Sequence, residues 1–193
     1  MAILMIKCGG TDEERNIALR DFTRRMGMLE QRRSGTPDRS SWEGLLGEHG
    51  TTMAGARLRA EEPRYLETLA HQVYKRGWLS FSEKHCYQNC FRLLFLDDDR
   101  RLRYWEGYAD VGCPPFQHAW LTINRKVVDP TLDAVDRDGT PSPYRAYFGV
   151  EIPRKLVVKL LEERCGVPFI TQQRMWDSLP KRRGWRTGNR RPG

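Results

Sequence analysis

Residues 84–95 read KHCYQNCFRLLF, and the part Cys86 plays at the head of this run decides both the fold and the chemistry. The spacing predicts a helix from about His85 to Leu96, with Tyr87, Phe91, Leu94 and Phe95 on its packing side, closed by DDDRR, in which Asp97, Asp98 and Asp99 read as a solvated turn. A thiol in the first turn sits where the helix field favours negative charge. Three roles are open to Cys86: a packed thiol, a metal ligand, or a nucleophile. Two later stretches of the chain bear on the choice, HAWL at 118–121 and VVDPT at 127–131.

A nucleophilic thiol needs a base, and the base needs an acceptor that fixes its tautomer. RLRYWEGYAD (101–110) alternates and is rich in aromatics, which predicts a strand. FQHAWLTI (116–123) and KVVDPT (126–131) predict two more, joined by a two-residue turn at Asn124-Arg125. That turn pairs Ile123 with Lys126. Counted along the hairpin, it makes His118 and Asp129 diagonal neighbours on one face, within reach of each other.

The remaining chain builds around these elements. Thr11 and Glu14 form a capping box for a helix over 11–33. Residues 34–60 are rich in Gly, Ser and Thr without sustained period, and read as a long flexible loop with a short helical turn at 42–46. A helix over 62–76 has Pro63 in its first turn, Gly77 beyond its end, and Leu66, Leu69, Ala70 and Val73 as its apolar side. A loop is expected over 132–144, a last strand at AYFGVEIP (146–153), and a closing helix over 154–165. Helices segregated from an antiparallel meander mean an α+β fold, here one domain spanning 1–177.

Charge separates the tail from the body. Of the net charge of +8, most comes from Lys181, Arg182, Arg183, Arg186, Arg190 and Arg191, with no acid after Asp177. Residues 178–193 therefore read as a basic, disordered tail, open to nucleic acid or an acidic partner. MAILMI is too short an apolar run for a signal peptide or a membrane span. Five cysteines at irregular spacing, with no secretory signal, read as reduced thiols of a cytoplasmic protein.

The order CYQNC … RYWEGYA … HAWL … VVDPT resembles the transglutaminase-like branch of the papain-like cysteine hydrolase superfamily, over about residues 82–131. The resemblance implies a papain-like core, with N-terminal helices followed by an antiparallel sheet packed on the helix that carries the cysteine. It implies Cys86 as nucleophile, His118 as general base and acid, and Asp129 as orienting carboxylate. No glutamine closely precedes Cys86, so the oxyanion hole lacks its second donor at that place. The Cys86 backbone N–H supplies one donor, and Ser82, Trp78 and Tyr104 are the candidates for the other. Tyr104, Trp105 and Trp120 are candidate walls of a substrate groove, and Glu106 a candidate partner for a cationic substrate or a solvent-facing charge.

Two rivals stand beside this reading. A zinc site could draw on His85, Cys86, Cys90, Cys113 and His118, although their spacings differ from paired knuckles. A catalytically silent scaffold could bind nucleic acid or an acidic partner through its tail. The preferred reading is a thiol-dependent acyl-transfer enzyme that needs no cofactor or metal. It would cleave an amide or peptide bond in a protein, peptide or small amide, with hydrolysis favoured over transamidation.

Overall fold

The computed structural model describes residues 50–54, 61–78, 85–111, 115–135 and 145–162, with Glu13, Ile17, Leu46 and Phe81 as single positions. The elements, in chain order, are β1 (Thr51–Ala54), α1 (Glu61–Lys75), α2 (Cys86–Leu96), β2 (Leu102–Asp110), β3 (Phe116–Ile123), β4 (Lys126–Val128), α3 (Pro130–Val135), β5 (Ala146–Ile152) and α4 (Arg154–Glu162). The five strands form one antiparallel sheet in the order β1-β5-β2-β3-β4. The protein is thus α+β; of the expected helix over 11–33 only Glu13 and Ile17 are described, both helical, and the basic tail, Ser82 and Cys113 lie outside the described residues.

Strand alternation divides the sheet into two faces. Leu102, Tyr104, Leu121, Ile123, Val150 and Ile152 face the helices and join Leu66, Leu69 and Val73 of α1 and Leu93, Leu94 and Leu96 of α2 in one core. Trp105, Ala109, Trp120 and Tyr147 form a second cluster on the opposite face. β2, hydrogen-bonded on both edges, is buried along nearly its whole length. Each fully buried Leu or Ile contributes about 1.5–3 kcal/mol against exposure.

The helix α2 packs against both α1 and the sheet. Its apolar surface therefore wraps most of its circumference, and only 85, 88, 92 and 95 turn outward. Phe95 falls on that outer stripe and is exposed rather than packed, touching Trp78 with ring centroids 5.9 Å apart. Leu93 and Leu96 take the buried positions instead.

Four further expectations are corrected. The loop over 34–60 contains β1, whose four residues pair with β5 from Thr51↔Gly149 to Ala54↔Ala146. So short an edge strand leaves no periodic trace. The strand expected over 126–131 stops at Val128 and the loop expected over 132–144 begins inside α3, because Asp129 caps a helix starting at Pro130: its Oδ1 accepts the N–H groups of Thr131 and Leu132. Asp97, expected in a solvated turn with Asp98 and Asp99, is fully buried. It accepts hydrogen bonds from the Tyr65 hydroxyl, the Arg101 and Leu102 N–H groups and Arg154 Nη1, joining α1, the α2–β2 turn and α4.

The β3–β4 hairpin follows the expected register, Ile123↔Lys126 through Leu121↔Val128. Its turn residues Asn124 and Arg125 both have positive φ, 50° and 65°, the left-handed pair that a two-residue hairpin turn demands. Glu62 in the first turn of α1 is buried and accepts Asn124 Nδ2 and Lys126 Nζ, which pins the hairpin to the helix.

Arg125→Gly is expected to stabilise the fold by roughly 0.5–1 kcal/mol, since glycine relieves the left-handed strain without losing a buried contact. A denaturant midpoint that falls contradicts this. Asp97→Ala is expected to cost on the order of 3 kcal/mol, because four donors lose their acceptor. The unfolding midpoint measures that loss.

Candidate active site

β4 stops pairing at Val128, so β3 from Phe116 to Trp120 has no β4 neighbour. There the chain turns at Asp129 into α3, and α2 draws against the same edge. Asn89 Nδ2 donates to Thr131 Oγ1 at 2.9 Å, and the Cys90 thiol donates to the Ala119 carbonyl at 3.4 Å. These bonds bring together the amino end of α2, His118 and Asp129.

His118 Nε2 lies 2.8 Å from Asp129 Oδ2, with both side chains buried. A carboxylate only accepts, so Nε2 carries the proton. The other ring nitrogen, Nδ1, is then the one open to Cys86, which lies close enough for its sulfur to act on the ring electrostatically. The three groups singled out by sequence are in one place, ordered sulfur, imidazole, carboxylate.

Burial works against charge on His118, but the Asp129 charge and hydrogen bond, then the nearby Cys86, outweigh it. They raise the ring from its ordinary 6.5 to about 10. Burial likewise opposes the Asp129 charge. His118, its hydrogen bond, the Leu132 N–H and the Arg145 charge prevail and hold the carboxyl below its ordinary value. The imidazole is therefore an imidazolium facing a carboxylate at neutral pH.

The four donors on Asp129 come from three directions. Thr131 and Leu132 N–H bind Oδ1, while His118 Nε2 and the Tyr147 hydroxyl, at 3.0 Å, bind Oδ2. Behind them, buried Arg145 donates to Asp133 Oδ1 at 2.6 Å. Tyr147, Asn89, Thr131 and Arg145 carry no motif of their own, and sequence reasoning missed them. The one available signal for Thr131 was the DPT string.

Cys86 and Cys90 differ in environment. Cys86 keeps 7 % exposure and Cys90 none. Burial first, then the charges of Asp129, Cys86 and Glu106, push the Cys90 thiol well above its ordinary value. α2 begins without a side-chain cap from His85, so its first N–H groups are not bound by that residue.

The groove and oxyanion expectations are placed elsewhere. Tyr104 is buried under α2, its hydroxyl donating to Glu106 Oε1 at 2.6 Å and its ring against Phe91. Trp105 stacks on Trp120 in the second cluster, its Nε1 donating to Thr122 Oγ1. Trp120 is fully buried and lies over Gly149, where a Cβ would come within 2.4 Å of its ring. These three are core side chains, not groove walls. Glu106 is likewise buried, not solvent-facing. Trp78 packs on Phe95 at the far end of α2 from Cys86, which removes it as an oxyanion donor. Tyr104 is removed by its bond to Glu106.

Among the described residues no cluster of three or more His, Cys, Asp or Glu is arranged to hold a metal ion. Nor is any described helix long and apolar enough to cross a membrane. Comparison with family models, curated proteins and solved structures found no match.

The pair fixes a pH dependence of stability. His118 binds its proton more tightly folded than unfolded, so its contribution is complete below about pH 6.5 and is lost as pH rises through about 10. Asp129 contributes above its ordinary value of 3.8 and loses that contribution on acidification. The Tm difference between wild type and His118→Gln is therefore expected to be widest near about pH 5–6 and to narrow toward about pH 10. A difference that grows with pH contradicts the assignment.

Proposed function

We propose that the protein is a cytoplasmic cysteine hydrolase of the papain-like, transglutaminase-like kind, cleaving an amide or peptide bond. The observation that carries this reading is an imidazole held through Nε2 by a buried carboxylate, with the sulfur at the head of α2 beside it. The residue order along the chain, which resembles that superfamily, supports it.

With the Cys86 proton carried on His118 Nδ1, the sulfur attacks the carbonyl carbon, forming a C–S bond and opening the C=O π bond so that negative charge falls on the oxygen. The Cys86 backbone N–H, at the head of α2, is one donor for that oxyanion. The tetrahedral species collapses with rupture of the C–N bond, and His118 delivers its proton to the leaving amine. Neutral His118 then takes a proton from water, whose oxygen attacks the thioester. Cleavage of the C–S bond releases the acid and restores the sulfur beside a protonated ring. Asp129 holds the ring in one orientation and stabilises its charge through both steps. Water is the preferred acceptor because no feature selects an amine. A peptide, protein or small amide fits this chemistry.

Iodoacetamide followed by peptide mapping tests the reading. Cys86 should be labelled and Cys90 spared, and His118→Ala should slow Cys86 labelling by at least about tenfold. Labelling of Cys86 that is indifferent to His118 points instead to a silent scaffold.

A further inference from the structure

We propose that Tyr147 is a positioning residue for this site, its hydroxyl donating to the Asp129 oxygen that also takes the His118 Nε2–H and so setting how firmly the carboxylate grips the ring. The inference rests on the acyl-transfer reading above and adds to it a residue from β5, a strand remote in sequence from both partners.

The geometry leaves the hydroxyl little freedom. Tyr147 is 1 % exposed, its ring packs on Trp120 with centroids 5.0 Å apart, and its oxygen is 3.0 Å from Asp129 Oδ2. His118 Nε2 is 2.8 Å from the same atom. Two donors therefore share one oxygen, while the backbone N–H groups of Thr131 and Leu132 occupy the other. Each donor withdraws charge from the carboxylate. The more Tyr147 takes, the less is left for the imidazolium.

Burial and the Asp129 charge keep the phenol protonated, so it remains a donor through the neutral range. The other charged or titratable groups around the pair are Cys86 and Cys90 on α2, Asp133 on α3, and Arg145 ahead of β5. Arg145 is engaged with Asp133, and Cys90 with the Ala119 carbonyl. Tyr147 is thus the side chain that reaches Asp129 Oδ2 beside His118.

The test reads the low-field proton NMR resonance of His118 Nε2–H in the full chain at neutral pH. Tyr147→Phe keeps the ring and removes the hydroxyl. The carboxylate becomes a stronger acceptor for His118, and the resonance moves downfield. A resonance that stays in place or moves upfield overturns the proposal.

Where Tyr147→Phe fails to fold, 3-fluorotyrosine incorporated at 147 retains shape and hydroxyl while making it a stronger donor. The resonance then moves upfield, and an unchanged or downfield one overturns the proposal. A ring that serves packing alone moves neither, since both replacements keep it. Iodoacetamide labelling of the wild-type sample separates the two possible failures. An unreactive Cys86 with a shifted resonance sinks the enzyme reading but supports the role of Tyr147. A reactive Cys86 with an unmoved resonance sinks the role of Tyr147 alone.

Discussion

A carboxylate buried in protein is costly unless every lone pair finds a donor, and Asp129 meets that condition with four. Together they tie down three parts of the molecule. The two backbone N–H groups start α3, the imidazole fixes the open edge of β3, and the phenol reaches in from β5. The chain's corner after β4, the tautomer of His118 and the anchoring of the second aromatic cluster all depend on the same two oxygen atoms. Truncating the side chain would leave four donors without their acceptor in a low-dielectric setting.

The same device recurs away from the site. Asp97 and Glu62 are also buried acids, each bridging elements distant in sequence: Asp97 links α1 to α4 through the α2–β2 turn, and Glu62 links α1 to the β3–β4 hairpin. These pins hold α2 between α1 and the sheet, so its amino end meets β3 at a defined height. Two thiols one turn apart then receive different surroundings. Cys90 is bound to a backbone carbonyl inside the core, whereas Cys86 stands at the helix head beside the imidazole.

Local features carried much of this in the sequence. The Asn124-Arg125 turn fixed the hairpin register, because side-chain period two leaves no freedom once a turn is chosen. The helix beginning at Cys86 was legible from its apolar spacing, whereas DPT reads as a strand end until Asp129 is seen to cap α3. The remainder depends on partners far along the chain. TTMA has no pattern of its own and is a strand only because β5 offers an edge. Tyr104, Trp105 and Trp120 look like groove walls in isolation, yet both faces of the sheet carry buried clusters, and these side chains belong to them. Phe95 reads as packing until α2 is seen to have an outward stripe. Tyr147 could not be chosen from seven tyrosines by spacing, since its contact to Asp129 depends on β5 joining the sheet beyond β2.

Nitrogen-15 chemical shifts of the His118 ring at pH 7 test the central claim most directly, namely that an ionised Asp129 holds a proton on the imidazole beside Cys86. The account predicts an imidazolium with both nitrogens protonated in the wild type, and a ring that reverts toward the neutral form in Asp129→Asn. A neutral His118 ring at pH 7 in the intact protein, unchanged by that substitution, would contradict it.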